Sequence, residues 1–580
     1  TSVIWSEGED TVIIWVNDTF GNINSTSVTF NVDSITPIIT MISPDNNSNS
    51  SDNTLNVNYI ATDTNRDSCW YSNDTMTSNT TLASCANITS VTWNDGQHNV
   101  TVWVNDSFGN SNSTSVTFNV DTTNPTLTIT SPTNNTNTND NDLDVNFTIT
   151  DANLQSCWYN DDDGSNTTLI DCANITTVNW IDGTHVINLW ANDSAGNSNS
   201  ASVTFVIDAS SSTITFIDPT PSNAIAQTTT NVITNVSIIE SNLNELKWNW
   251  NGTNYTMYND SLVLMYNFDN VSALNENHTY VFDVSGNNNN GTSVNEAGSL
   301  SSGKYGGAFD FDGVNDRVTT PTTFGIGTTD FTISTWVNLD SASEGGAFVK
   351  IGGTSPNQGF AIGVGGSNYD DTGNDLILLY EGIRWIDTND LIGTGWHHVA
   401  MTVDSSGYPA AYIDGILTYS DTTGTGAAPQ QDITYVGGYT ASGGGNRHAD
   451  VTMDEVRIWN ISLSAEDIYQ QYASNLNKFN STQWYLYVNQ SLNTTTGLTD
   501  GNYTYNLYAK DDYNNDDSST ERTIIIDTTA PAFTDINNQS IEWGFALSSD
   551  INATDVNSIS CFTVNDTANF QIDCDGLLQN

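Results

Sequence analysis

The chain has 580 residues, too many for one hydrophobic core, so we expect about four or five domains. Its 67 acidic and 11 basic residues give a formal net charge of -56, which excludes binding to nucleic acid phosphates and favours binding of cations. Apolar residues still make up 37% and aromatic residues 10%, so the acidity belongs to folded domains and not to a disordered tail.

A repeat occupies the first part of the chain. Its copies begin at Trp5, Trp93 and Trp180, which are 88 and 87 positions apart, the length of a small β-sandwich. Apolar and polar residues alternate within a copy, as in Val100-Thr-Val-Trp103-Val, and this alternation predicts strands with one buried face. A turn cluster joins two such strands into a hairpin, and a proline a few residues later marks the module boundary.

The repeat signature is Trp-x-Asp-Gly, then Trp-x-Asn-Asp, then Val-Asp-Thr-Thr-x-Pro. It resembles the immunoglobulin-like modules of prokaryotic, especially archaeal, surface proteins. The resemblance implies complete modules at 34-121 and 122-208, a C-terminal half-module at 1-33 and an N-terminal half-module at 528-580. Two explanations of the half-modules stay open. Truncation of a longer polypeptide is favoured, and the other is completion of one subunit's half by the half of the next, through strand complementation.

Between residues 261 and 475 the repeat stops and Gly-rich strands replace it. This region resembles the laminin G-like and pentraxin-like branch of the concanavalin A-like jelly rolls, and the resemblance implies a jelly roll inserted in a loop of a module split into 209-260 and 476-527. Ser464, with acids in the turn that follows, predicts one short helix. Among the segments that carry the resemblance are Gly395-Trp-His-His-Val, Tyr412-Ile-Asp-Gly and Asp454-Glu-Val-Arg-Ile-Trp459.

The six cysteines fall into three local pairs, which predict disulfides and therefore an oxidising, extracellular location. A metal site is disfavoured because neither Cys-x-x-Cys nor an accompanying histidine is present. His98 and His185 recur at one repeat position and are interpreted as packing or turn residues. The predicted pairs are Cys69 with Cys85, Cys157 with Cys172, and Cys561 with Cys574.

Asn-x-Ser/Thr sequons are abundant outside the jelly roll and absent between Asn290 and Asn460. We expect glycans on the immunoglobulin-like parts and none over 291-459, because this segment either has a separate origin or keeps its surface free of glycan. The candidate glycosylation sites include Asn17, Asn73, Asn105, Asn146, Asn192, Asn254, Asn290, Asn460, Asn502 and Asn565.

Calcium is the predicted cofactor, because related lectin-like domains often hold a calcium ion near the rim. The resemblance implies Asp283 and Asp454 as side-chain ligands and Asp312 as a third. The alternative is that Asp283 caps a turn, while Asp454 pairs with Arg457 or faces solvent.

These features predict an extracellular cell-surface glycoprotein with a structural or adhesive role and no membrane span in this segment. The jelly roll is a candidate module for glycans or proteins on other cells or surfaces. An alternative is a subunit of an extracellular filament or surface layer, which binds copies of itself.

A glycoside hydrolase is a further, disfavoured alternative. It would need two carboxylates on one strand facing a cleft, about 5–5.5 Å apart for a retaining mechanism. Asp454 and Glu455 are adjacent, so we expect them on opposite faces of a strand and expect no enzymatic activity.

Overall fold

The structure is a computed structural model, and it confirms the predicted all-β class. The residues described are 2–74, 77–295, 297–300, 302–327, 330–339, 345–354, 359–365, 373–379, 385–422, 431–442, 445–493, 495–535, 539, 547–555, 559–565, 567 and 570–579. The chain divides into two compact units, Thr1–Ala209 and Ser210–Asn580.

The first unit holds a hairpin followed by two sandwiches. The hairpin pairs β1 (Gly8–Asn17) with β2 (Ile23–Val32). The first repeat contains β3 (Ile38–Ser43), β4 (Ser48–Ser50), β5 (Asn58–Thr62), β6 (Arg66–Asn73), β7 (Thr80–Leu82), β8 (Gly96–Asp106) and β9 (Ser111–Val120). The second repeat contains β10 (Thr126–Ser131), β11 (Thr136–Thr138), β12 (Asn146–Thr150), β13 (Leu154–Asp161), β14 (Thr167–Leu169), β15 (Gly183–Asp193) and β16 (Ser198–Ile207). Short 3-10 turns span Ala83–Cys85 and Ile170–Cys172.

Each repeat packs a two-stranded sheet on a five-stranded one. In the first repeat these sheets are β3-β5 and β4-β9-β8-β6-β7, and the second repeat has the same arrangement. The alternation in β8 places Val100, Val102 and Val104 in the core with no exposed surface. The signature residue Trp93 is also buried, and its indole N–H donates to the Leu55 carbonyl at 2.8 Å. The three predicted disulfides are confirmed.

The second unit begins with β17 (Thr213–Ile217), β18 (Ile225–Gln227), β19 (Val232–Ile239), β20 (Leu243–Trp250) and β21 (Thr253–Tyr258). The jelly roll follows with β22 (Leu262–Tyr266), β23 (Tyr280–Val281), β24 (Gly291–Val294), β25 (Gly298–Leu300), β26 (Ala308–Asp312), β27 (Arg317–Thr320), β28 (Phe331–Leu339), β29 (Gly346–Ile351) and β30 (Phe360–Gly365). It continues with β31 (Asp375–Leu379), β32 (Trp385–Leu391), β33 (Trp396–Val403), β34 (Pro409–Ile413), β35 (Ile416–Ser420), β36 (Thr434–Val436), β37 (Gly438–Thr440), β38 (Asn446–His448) and β39 (Asp450–Trp459). A 3-10 turn covers Ser272–Leu274.

Helix α1 (Ala465–Ala473) leads from the jelly roll back to the sandwich, and Ser464 caps it as predicted, in a capping box with Asp467. The sandwich is completed by β40 (Ser474–Lys478), β41 (Gln483–Gln490), β42 (Gly501–Asp511), β43 (Asp516–Ser518) and β44 (Arg522–Ile526). The described part of 528–580 contains β45 (Ala532–Asp535), β46 (Ser548–Asp550), β47 (Asn552–Thr554), β48 (Gln571–Ile572) and β49 (Leu577–Gln579).

The jelly roll and the split sandwich share a hydrophobic core. An eight-stranded sheet, β25-β26-β39-β28-β33-β34-β35 with β22, encloses the jelly-roll core together with a ten-stranded sheet. The outer face of the eight-stranded sheet contributes Trp459 and Tyr412 to the core that also contains Trp248 and Trp484 of the split sandwich. This shared core fixes the jelly roll against α1 and β41.

Candidate functional site

An aromatic strip, defined as Tyr305, Trp336, Tyr472 and Tyr487, lies where the jelly roll meets α1 and β41. The Tyr305 ring centroid lies 5.9 Å from that of Trp336 and 5.8 Å from that of Tyr487. The rings of Trp336 and Tyr472 stack with their centroids 5.4 Å apart. Trp336 is only 2% exposed, whereas the three tyrosines are half-buried, so the tryptophan is the floor of a surface that the tyrosines present to solvent.

Charged groups flank the aromatic strip. The Lys304 Nζ lies 4.0 Å from the Trp336 ring centroid, a cation–π contact. His397 Nδ1 lies 2.7 Å from Asp414 Oδ2, and the other oxygen of Asp414 accepts the backbone N–H of His398 at 3.0 Å. Burial lowers the pKa of Lys304, and the negative charges of Asp414 and Asp454 oppose that shift. An ammonium, an imidazole and a carboxylate therefore stand beside the aromatic rings.

Beneath the loop that carries Tyr305, three carboxylates form an acid cluster: Asp454 and Glu455 are buried, and Asp269 is half-buried. Asp454 accepts the Tyr305 backbone N–H at 2.9 Å, and Asp269 accepts the Gly307 N–H at 2.7 Å and a hydrogen bond from the Asn477 amide. Two carboxylates of the cluster thus accept hydrogen bonds from the backbone of this loop and fix its position.

The expectation that Asp454 and Glu455 point to opposite faces is wrong. Met453 and Val456 both lie in the jelly-roll core, so the two acids between them both point away from it. The cause is a bulge: the pairing of β39 with β28 shifts register here, and Glu455 has a positive φ of 53°.

Arg457 compensates part of this buried charge. Its Nη2 lies 2.9 Å from Glu455 Oε2 and donates to Asn475 at 3.1 Å, while its Nη1 donates to Gln471 at 2.5 Å. Gln471 belongs to α1 and Asn475 to β40, so Arg457 joins the jelly-roll sheet to the split sandwich. Burial still raises the pKa of Asp454 and of Glu455 well above the ordinary range.

The structure does not bring the three predicted calcium ligands together. Asp283 is buried and accepts the backbone N–H groups of Met265, Ser285 and Asn289, and Asp312 accepts those of Val314 and Asn315. Some metal-ligating side chains form groups of three or more whose ligand atoms lie within 4.8 Å of one another. In the described part of the chain, none of these groups includes Asp283, Asp312 or Asp454. Asp283 therefore caps a turn, as the alternative held. The other half of that alternative is wrong, because Asp454 is buried and accepts the Tyr305 N–H, while Glu455 pairs with Arg457. Calcium stays a prediction.

Three acidic groups of the first unit were not predicted from the sequence. In each of them, one ligand atom per residue lies within 4.8 Å of the others. Two of them recur at equivalent repeat positions, where an aspartate after the last strand of one module meets two aspartates of the next. His185 belongs to the third group, while His98 pairs with Asp74 at 3.0 Å and packs on Trp93. The groups are Asp33, Asp63 and Asp106; Asp121, Asp151 and Asp193; and Asp161, Asp162 and His185.

Residues 312–469 match the family described as the concanavalin A-like lectin/glucanases superfamily, and residues 125–209 match the one described as glucodextranase, domain B. The jelly-roll prediction is therefore confirmed, while the immunoglobulin-like character and prokaryotic origin of the repeats stay predictions. No curated protein matches the chain. Among the described helices, none has the length and apolar character required to cross a membrane.

Several solved structures are similar to parts of the chain. Domain 4 of AbnA, a GH43 extracellular arabinanase from Geobacillus stearothermophilus in complex with arabinotriose, is 23% identical with a TM-score of 0.29, over 36% of this chain and 96% of that one. The binding domain of botulinum neurotoxin serotype D is 15% identical with a TM-score of 0.28, over 37% of this chain and 50% of that one. A Trypanosoma rangeli sialidase in complex with sialic acid is 12% identical with a TM-score of 0.30, over 80% and 98%.

Replacing Asp269 with asparagine should remove a pH dependence of stability. Burial raises the pKa of Asp269 to about 6, above the ordinary 3.8, so the folded state prefers the protonated carboxyl. The free energy of unfolding should therefore fall as pH rises from about 4 to about 6, and Asp269→Asn should avoid this loss, which amounts to about 3 kcal/mol. Denaturant unfolding between pH 4 and 8 measures it, with the exposed Asp260→Asn as control. Equal pH slopes in Asp269→Asn and wild type would contradict the assignment.

Proposed function

We propose that this chain is part of an extracellular surface glycoprotein with a structural and adhesive role, and that its jelly roll binds glycans along the aromatic strip. The disulfides fit an oxidising, extracellular location. The observation that carries the binding role is the set of half-buried tyrosines around the Trp336 floor, flanked by Lys304 and the pair of His397 and Asp414.

Sugar rings are recognised by this combination of chemistry. Their C–H faces pack on aromatic rings, and their hydroxyls exchange hydrogen bonds with charged and polar side chains at the rim. The strip offers three half-buried tyrosine rings, of which Tyr305 and Tyr487 contact each other, and an ammonium, an imidazole and a carboxylate beside them. Tyr305 and Trp336 also lie in the segment 291–459, which contains no sequon.

Binding is favoured over hydrolysis. Of the cluster carboxylates, Asp454 and Glu455 are almost fully buried, and Glu455 is ion-paired with Arg457 at 2.9 Å. A glycosidase acid must instead reach the scissile bond from a cleft. The proposal therefore includes no enzymatic activity.

Replacing Tyr305 with alanine should weaken glycan binding about tenfold, because the substitution removes the ring that connects Trp336 to Tyr487. Tyr487→Ala should weaken binding similarly, since its ring ends the strip. The measurement is a glycan array followed by calorimetric titration of the full chain with the best binder.

Tyr485→Ala is the matched control, since Tyr485 lies on the same strand and contacts Phe479 instead of the strip. Asn489 lies two residues beyond Tyr487 in the sequon Asn489-Gln-Ser, so the measurement is repeated with Asn489→Gln to remove competition from a glycan of the chain itself. Equal affinities of Tyr305→Ala and Tyr485→Ala would refute the strip as the site. Binding of a protein and no glycan would refute the ligand class.

A second candidate function is self-assembly by completion of half-modules. In the hairpin, Ile14 and Val28 are both 54% exposed, although they occupy the positions of Val102 and Val116, which are 0% and 1% exposed. The 528–580 segment contains an open apolar cavity of about 370 Å³ lined by residues such as Phe533 and Ile551. Its β45 and β47 pair as β3 and β5 do in the first repeat.

Association should depend on this apolar face of the hairpin. Light scattering of the full chain should show concentration-dependent oligomers, and Ile14→Ser with Val28→Ser should shift them to monomers because the buried apolar area would be lost. Ile13→Ser is the control, since Ile13 lies on the opposite face of the same strand. A wild-type protein that stays monomeric over the whole concentration range would exclude this candidate.

The proposal retains structural calcium as its cofactor. Chelation by EDTA should lower the melting temperature of the full chain, because an ion bound only by the native state stabilises it by mass action. Adding back calcium should restore the melting temperature, whereas the same concentration of magnesium should restore it less, because magnesium demands a smaller octahedral site. A melting curve that EDTA leaves unchanged would exclude calcium.

A further inference from the structure

A stacked tryptophan pair recurs on the solvent face of both repeats. Trp70 and Trp103 lie directly opposite each other on β6 and β8, with ring centroids 6.3 Å apart and planes inclined by 8°. Trp158 and Trp190 form the same pair on β13 and β15, at 6.3 Å and 10°. Small hydroxyl residues flank each pair on the neighbouring strands at either side: Ser113 and Thr81 in the first repeat, Ser200 and Thr168 in the second.

These pairs are half-buried and face away from the sandwich cores, so each offers an aromatic surface bordered by small side chains. A half-buried aromatic pair that recurs at one position of a repeat is a candidate contact surface for an apolar or sugar face. Among the described residues, the ring contacts of each pair are made within the pair itself.

A sequon follows each pair on the same strand. Asn105 stands two residues after Trp103, in Asn105-Asp-Ser, and Asn192 stands two residues after Trp190, in Asn192-Asp-Ser. Successive side chains of a strand alternate between its faces, so the asparagine and the tryptophan share the outer face about 7 Å apart. A sugar ring attached to the asparagine is wide enough to cover that distance.

The opposite strand orients each asparagine. The Oδ1 of Asn105 accepts the Ser68 hydroxyl at 2.5 Å and the Ser68 backbone N–H at 3.1 Å, while its Nδ2 makes no hydrogen bond to any described residue. Asn192 accepts the Ser156 hydroxyl at 2.5 Å in the same way, and its Nδ2 bonds only the exposed Gln155 among described residues. In both repeats the partner strand thus fixes the Oδ1 atom, while the Nδ2 atom that would carry an N-linked glycan is held, among the described residues, by at most one exposed side chain.

The split sandwich supplies an internal comparison. At the position of the tryptophan pair, the split sandwich has Lys247 opposite Tyr508. At the position where a serine faces the sequon asparagine in the repeats, the split sandwich has Glu245 opposite Lys510. Lys247 Nζ lies 2.7 Å from Glu245 Oε1 and 5.6 Å from the Tyr508 ring centroid. The sequon and the tryptophan pair are thus lost together, and charged side chains cover the position instead.

We propose that Asn105 and Asn192 carry N-linked glycans whose first sugars pack on the Trp70–Trp103 and Trp158–Trp190 pairs. Attachment breaks the bond between the anomeric carbon and the phosphate of a glycosyl-phosphate donor and joins that carbon to Nδ2. Nδ2 loses one proton, and the phosphate leaves with the bonding electrons. The proposal rests on the extracellular, glycosylated role argued above and adds a defined resting surface for two glycans.

The test measures how fast a peptide N-glycosidase releases each glycan from the native full chain, quantified by mass spectrometry of the resulting aspartates. Asn105 and Asn192 should be released about two- to tenfold more slowly than glycans of Asn99 and Asn502, which follow no tryptophan, because stacking protects the linkage. The Trp70→Leu, Trp103→Leu double variant should accelerate release at Asn105 to the control rate and leave Asn192 unchanged.

Trp70→Phe with Trp103→Phe retains flat rings and should retain protection, which separates stacking from apolar burial. If the leucine variant loosened the whole sandwich, release at Asn99 on the same strand would accelerate as well, and the phenylalanine variant would then decide. Unprotected glycans at Asn105 and Asn192, or bare asparagines there beside occupied sequons elsewhere, would overturn this inference alone. Bare sequons along the whole natural protein would also remove the glycosylated role.

Discussion

The hydrophobic core shared by the jelly roll and the split sandwich is the interaction on which the candidate binding site depends. Trp459 of β39 lies with no exposed surface in one core with Trp248 and Trp484 of the sandwich. Burying aromatic side chains of this size contributes several kcal/mol, which a flexible tether could not supply. Because this core fixes the two domains, Tyr487 can complete a strip that begins on the jelly roll.

Electrostatics reinforce this arrangement. With 11 basic residues against 67 acidic ones, each cation is attracted to many carboxylates, yet several lie on aromatic rings. Lys304 covers Trp336, Lys478 lies 4.4 Å from the Trp484 ring centroid, and Arg522 lies 4.4 Å from that of Phe216. The contact of Arg522 with Phe216 joins segments that are far apart in sequence, and all three contacts use scarce cations to stabilise the fold.

Features that arise within one element or one repeat could be predicted from sequence, whereas those that need distant segments could not. The cysteine spacing predicted the disulfides, and Ser464 predicted the helix cap, because both are local. The bulge at Glu455 escaped prediction because strand alternation is assumed until a register shift breaks it. Tyr487 escaped as a site residue because its approach to Tyr305 depends on how two domains pack.

The repeats and the split sandwich solve one surface problem in two ways. The outer face of each five-stranded sheet, and of the corresponding sheet in the split sandwich, has a cross-strand pair at its centre. The side chains of that pair must be compatible with contact to water. In the split sandwich the pair of Lys247 and Tyr508 keeps a charge over its ring, next to Glu245. In the repeats indole rings replace that charge, and a sugar on the neighbouring asparagine would cover them with polar groups. Glycosylation at these two positions is then part of how the sandwich surface is completed, in addition to any role in contact with other cells.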